Sequence, residues 1–248
     1  MPKINVYLPD DLAAAVRDAR LSVSPICQKA LAEAVRLVGE AREAAAALRD
    51  PDFGPDRYPQ VSARVAGRIT GHLRQALRRA ADLVGPDDAV DTGHLLAGVL
   101  DEPNNLGTQV LRSLDVDVPG LRDAAVPGGA AAGTTTAPGD EPPAGLSTAA
   151  RLAVADALEA AVDLGHDFLG CEHLVLALAD RPGTAGELLH ERGVTAESIR
   201  RAIPAALGAA ALGFANAHQQ MTPGIAHRLD DLSRRLDALD ERLRAGGL

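Results

Sequence analysis

Four residues able to bind metal or act as nucleophiles crowd one stretch, DLGHDFLGCEHLVLALADRP (163–182): His166, Cys171, Glu172 and His173. Imidazole, thiolate and carboxylate are zinc's usual ligands, and a cysteine near a histidine is the simplest nucleophile–base pair. The same residues could instead shape a helical turn. A lone cysteine with no second thiolate is a weak zinc set, and residues two apart on a helix, such as Cys171 and His173, face different sides. The stretch also carries helix punctuation. Leu164-Gly165 closes one helix, with Gly165 suited to the left-handed position after the last turn. Gly170-Cys171-Glu172 opens the next, with Glu172 in the first turn, where the helix dipole favours a carboxylate. We expect a structural turn, with no metal, no cofactor and no catalytic group.

An internal repeat supports that expectation. TGHLLAGVLDEPNNLG (92–107) aligns with CEHLVLALADRPGTAG (171–186) at an offset of 79, pairing His94 with His173, Asp101 with Asp180, Pro103 with Pro182 and Gly107 with Gly186. Cys171 and Glu172 become Thr92 and Gly93, and His166 has no counterpart, so the histidine repeats and the ligand set does not. After a one-residue slip, VLRSLDVDVPGLR (110–122) matches LLHERGVTAESIR (188–200). Each unit reads as a long helix, a tight turn, a second helix and two short ones. Such units bury a core by packing together, here as a pseudo-twofold pair.

Composition agrees with a mainly α fold. Hydrophobic residues make up 46% but aromatics only 2%, so the apolar mass is Ala, Leu and Val. A net charge of −9 argues against a surface that coats nucleic acid or membrane, without excluding a local DNA-reading element. Cys27 and Cys171 form no disulfide framework. There is no signal-peptide core, and AIPAALGAAALGFANA (202–217) is too short to span a bilayer, so a cytoplasmic protein is expected. The zones are 1–49, a proline-spaced linker at 50–60, two helical units at 61–123 and 146–204 separated by a low-complexity stretch at 124–145, and heptads over 222–245.

LGHDFLGCEHLVLAL resembles the repeat signature of the Clp amino-terminal domain, the substrate- and adaptor-binding module of ClpC/ClpA-type unfoldases. LSTAARLAVADALEAA (146–161) is similar to the helix preceding it, and VSARVAGRITGHL (61–73) to its first-repeat counterpart; the likeness covers roughly residues 58–203. No P-loop accompanies it: GGAAAGTTT (128–136) has Thr134 where the phosphate-binding lysine must be. The resemblance implies binding rather than catalysis, of phosphoarginine-marked proteins or cyclic peptides that target ClpC. It assigns the phosphoarginine site to a helix-opening hydroxyl and the glutamate before the histidine, matched by Ser147 and Glu172. In the first unit Ser62 matches and Gly93 replaces the glutamate. Ser62 and Ser147 can equally be helix caps. It places the cyclic-peptide groove between the first helices of the two units, at Tyr58, Val61, Leu146 and Arg151, with Leu146 in place of a phenylalanine.

At the other end, KINVYLPDDLAAAVRDARLSVSPICQKALAEAVR (3–36) alternates Ile4, Val6 and Leu8 with Lys3, Asn5 and Tyr7, a strand of period two ended by Pro9. A helix with acidic residues in its first turn follows, then a second helix opening at Ser24-Pro25. This order resembles the ribbon-helix-helix fold of repressors and antitoxins, in which two chains pair their strands over a joint helical core. Lys3, Asn5 and Tyr7 would then enter the DNA major groove, and amides near Ser24 would hold a phosphate. The alternative is a ribbon that only dimerises. Ile225, Leu229, Leu232, Leu236, Leu239 and Leu243 form a coiled-coil seam that favours a dimer or higher oligomer. Joined together, the parts read as a DNA-binding autorepressor that senses a cyclic peptide or a phosphoarginine-marked protein. The rival is a decoy or adaptor that sequesters such ligands.

Overall fold

Short polar side chains set several helix starts in this chain. Thr70, Asp91, Asn105 and Ser147 each accept a hydrogen bond from the amide three residues on, satisfying a first-turn donor that the helix itself leaves free. The computed structural model describes residues 5–54, 57–85, 88–126 and 145–210. In chain order its helices are α1 (Asp10–Asp18), α2 (Val23–Arg49), α3 (Pro59–Arg68), α4 (Gly71–Asp82), α5 (Thr92–Asp101), α6 (Leu106–Ser113), α7 (Val118–Ala125), α8 (Thr148–Asp163), α9 (Cys171–Ala179) and α10 (Thr184–Glu191). An eleventh, α11, runs from 196 to 210.

Helices α4–α7 and α8–α11 are the two expected units, packed on one core that includes Leu73, Leu95, Leu96, Leu111, Leu158, Leu174, Leu176 and Leu189. Their starts are exchanged. Ile69, before α4, bridges Leu169, before α9; Leu146, before α8, bridges Val90, before α5. The hydrogen bonds are Thr70 N–H to Leu169 O at 2.9 Å and Ser147 N–H to Val90 O at 2.9 Å. Helix α4 lies close against α5 because Gly98 has no side chain: a β-carbon there would strike the Ala76 carbonyl and come within 2.9 Å of the Ala80 nitrogen.

The bridges correct the register of the first unit. Helix α8 corresponds to α4, and its cap Ser147 to Thr70. VSARVAGR is α3, an additional helix ahead of the repeat, so Ser62 on it is not the partner of Ser147 and caps nothing. The 50–60 linker is shorter than expected, since α3 already begins at Pro59.

The N-terminal module also departs from expectation. Residues 5–9 form neither helix nor strand, so the described part of the strand expected over 3–8 is absent, and among the described residues no ladder pairs with it. A lone strand has no partner for its backbone groups, which explains the absence. Helix α2 opens two residues early, with Ser22 as N-cap, Ser24 inside the first turn, and Pro25 where no intrahelical amide is needed. Lys3, Ile4 and the 222–245 heptads lie outside the described residues. Among the described residues no helix is long and apolar enough to cross a membrane.

Candidate functional site: the α4–α9 pocket

The repeated histidines are capping residues. His94 Nδ1 accepts the Asp91 amide at 3.2 Å while Asp91 Oδ1 accepts the His94 amide at 3.0 Å, a reciprocal box. In the second unit the N-cap is Gly170, without a side chain, and only half the box survives: His173 Nδ1 accepts the Gly170 amide at 2.9 Å. An accepting Nδ1 puts the ring proton on Nε2, which lies 2.7 Å from His166 Nδ1. His173 is fully buried. Burial, helped by His166, holds its pKa down to about 3, so the ring is neutral.

His166, Glu172 and His173 bring donor atoms within 4.8 Å of one another, a cluster able to hold a metal. The hydrogen bonding argues against that use. Both His173 nitrogens are engaged, and Glu172 Oε1 lies 3.4 Å from Nδ1, on the side already taken by the Gly170 amide. Cys171 is buried, and burial raises its thiol well above the ordinary range, away from the thiolate a nucleophile or ligand needs.

Glu172 is different. Its carboxyl is only 3% exposed, burial raises its pKa, and Oε1 has no hydrogen-bond partner. A buried acceptor left unsatisfied is costly and calls for an explanation. Glu172 lines an open pocket of about 740 Å³ walled by Thr70 and His72 of the α4 start, Asn104, Leu106 and Gln109 around the α6 start, Phe168, Cys171, and Leu207, Ala209 and Ala210 of α11. Three helix N-termini thus converge on a mostly apolar cavity holding a carboxyl with one oxygen unsatisfied.

Residues 145–238 match the Clp repeat (R) N-terminal domain. Over 104 residues the chain is also 36% identical to uncharacterized protein Rv2667 of Mycobacterium tuberculosis and uncharacterized protein Mb2686 of Mycobacterium bovis, covering 41% of this chain and 37% of each relative. The chain therefore matches little more than a third of the length of these curated relatives.

The pocket, which joins the matched residues to Thr70, His72, Asn104, Leu106 and Gln109 outside the match, pairs residues differently from the sequence expectation. Glu172 shares its cavity with Thr70, the α4 cap, and not with Ser147. Ser147 instead adjoins the start of α5 through the Val90 bridge, beside Gly93. That second position lacks the carboxylate and has no room for a side chain that would carry one. A β-carbon on Gly93 would lie 2.8 Å from the Ala125 carbonyl at the end of α7 and 3.1 Å from Thr184 Cγ2.

The expected groove residues are committed elsewhere. Val61 is buried, and Leu146 is half-buried at its bridge. The Tyr58 ring stacks on Phe53 with centroids 5.6 Å apart, and its hydroxyl donates to Asp50 Oδ2 at 2.5 Å. Arg151 Nη1 donates to the carbonyls of Leu48 and, at 2.6 Å, Asp50. Thr70, His72, Asn104, Gln109 and Phe168 escaped the sequence reading. Thr70 left a trace there, standing 24 residues before His94 much as Ser147 stands 26 before His173.

Proposed function

We propose that this protein is a non-catalytic, dimeric DNA-binding regulator, acting in the cytoplasm as an autorepressor, whose Clp-type repeats sense a ligand. One observation carries the DNA-binding half. Residues 5–40 follow the order irregular segment, helix, turn, helix, yet none of them is buried in the single chain. Val6, Leu8, Leu12, Leu21, Val23, Ile26, Leu31 and Val35 are all exposed, Val35 at 72%, and the first buried residue of α2 is Ala41. An apolar set of this size on a soluble module marks an interface. A second copy would supply the missing strand and the missing core, leaving Lys3, Asn5 and Tyr7, 93% exposed in the single chain, on the outer face of the ribbon.

The α4–α9 pocket supports the sensing half. A guanidinium entering it would give Glu172 the donors it lacks and favour its ionised form. A phosphate on that guanidinium would meet the first-turn amides and His72. Phosphoarginine is thus a suitable ligand class, and a ClpC-targeting cyclic peptide is the other. Gel-shift titration of the full chain on its own upstream DNA, with and without such a peptide, tests the reading. A shift that the peptide alters supports it; no shift on that DNA at moderate salt rejects it.

The decoy or adaptor reading keeps the pocket and gives residues 5–49 only a dimerising role. It is favoured by the completeness of the pocket, which needs nothing from that module. Replacing Lys3 and Asn5 by alanine separates the two: loss of DNA binding in an intact dimer supports the regulator, and an unchanged DNA response supports the decoy.

A further inference from the structure

We infer that Glu102 holds His72 as the residue by which the α4–α9 pocket tells a phosphorylated guanidinium from a plain one, and that the phosphoryl group draws a proton onto His72 as it binds. This rests on the reading of the pocket as a phosphoarginine site. It adds the residue pair that sets the choice and the proton that accompanies it.

His72 stands in the first turn of α4 and forms part of the cavity wall, its side chain 54% exposed. Its Nδ1 lies 3.0 Å from Oε1 of Glu102, the residue that closes α5, and Arg79 Nε donates to Oε2 of the same carboxyl at 3.0 Å. Glu102 is buried and is not part of the cavity wall. A carboxylate can only accept, so Nδ1 carries the ring proton and Nε2 is the nitrogen left for the cavity. The neutral ring offers a phosphoryl oxygen only a lone pair. The protonated ring offers an N–H donor and a charge. A phosphoryl oxygen on Nε2 and the carboxylate on Nδ1 would together hold the ring in that charged form.

The pair is not a requirement of the repeat. Taking Thr70 with Ser147 and His94 with His173, the second unit has Ala149 and Arg181 where the first has His72 and Glu102. Arg181 turns instead to Asp156. Of the two units, the one with the pair is the one whose leading helix opens on the cavity, where Glu172 Oε1 is unsatisfied. The other titratable groups of the cavity wall are Cys171 and Glu172 at the start of α9; the α6 start and α11 contribute only uncharged residues. A ligand carrying both charges would therefore set its guanidinium on Glu172 and its phosphoryl group on His72.

Calorimetric titration of the full chain with phosphoarginine and with arginine, near pH 7 in buffers of different ionisation enthalpy, reads affinity and proton uptake together. His72→Gln is expected to weaken phosphoarginine roughly tenfold and to leave arginine unchanged. The native chain is expected to take up about half a proton more per bound phosphoarginine than His72→Gln does. That difference cancels the proton changes of Glu172 and of the ligand itself. Glu102→Gln is expected to lose the excess. Arg79→Gln, which removes the other partner of Glu102, is expected to keep it, and so separates the His72 pair from a merely structural ion cluster. Three outcomes overturn the inference while the pocket reading stands: phosphoarginine bound with equal uptake by native chain and His72→Gln, an excess that survives Glu102→Gln, or an excess lost in Arg79→Gln. A native chain that binds neither ligand removes both readings.

Discussion

The amide of Thr70 donates to the carbonyl of Leu169 at 2.9 Å, tying the start of the first unit's leading helix to the start of the second unit's second helix. This cross-repeat tie puts Thr70 and Glu172 in one cavity. Thr70 and Ser147 make the same capping bond, so replacing either by alanine is expected to cost about 1 kcal/mol in urea unfolding. Of the two, Thr70→Ala is expected to weaken phosphoarginine binding in calorimetric titration, with Ser147→Ala leaving it unchanged. Equal losses from both would undo the pairing of Thr70 with Glu172.

Glu172 is buried with Oε1 unsatisfied, so Glu172→Gln is expected to raise the thermal midpoint of the empty protein while abolishing stabilisation by phosphoarginine. Differential scanning fluorimetry with and without ligand reads both effects in one experiment. A lower midpoint for the empty variant contradicts the account.

The pH dependence has two opposed parts. His173 is held to about 3 in the folded chain against an ordinary 6.5, so the unfolded chain binds the extra proton between those values. Its contribution is complete above 6.5 and is lost as pH falls toward 3. Glu172 is raised above 4.5, so there the folded chain holds the extra proton, and stability falls as pH rises through that window. Removing the second contribution with Glu172→Gln is expected to steepen the acid-side loss, as measured by urea midpoints from pH 7.5 to 4.5.

His173→Ala leaves the Gly170 amide buried without an acceptor and is expected to cost about 1–3 kcal/mol. His94 is part-exposed and its box keeps the Asp91 half, so His94→Ala is expected to cost less in the same denaturation assay.

Leu12 is 46% exposed in the single chain, where a polar substitution would ordinarily change little. If residues 5–35 form a joint core with a second copy, Leu12→Asp is expected to convert dimer to monomer in light scattering and to abolish DNA binding. A dimer that survives the change removes that core.

The repeat and most helix starts were legible because they rest on local chemistry: His94 and His173 at matching positions, Gly165 after a last turn, Ser147 before an alanine-rich helix. The first unit's leading helix was misplaced because VSARVAGRITGHL was matched to the helix before the second repeat, and the break at Ile69-Thr70 is marked by pairing with Leu169, a contact 100 residues away in sequence. Ser62 and Tyr58 inherited that error. Arg151 was named only as a residue beside the groove that the resemblance implies, and sequence could not say that its guanidinium is taken by carbonyls of the same chain, at Leu48 and Asp50. The strand expected at Val6 and Leu8 was legible only as an alternation, and among the described residues no segment pairs with it.

The Ala125 carbonyl pressed against Gly93 leaves no room for a side chain there. Restoring a carboxylate with Gly93→Glu would therefore have to part the start of α5 from the end of α7, and could not simply copy the surroundings of Glu172.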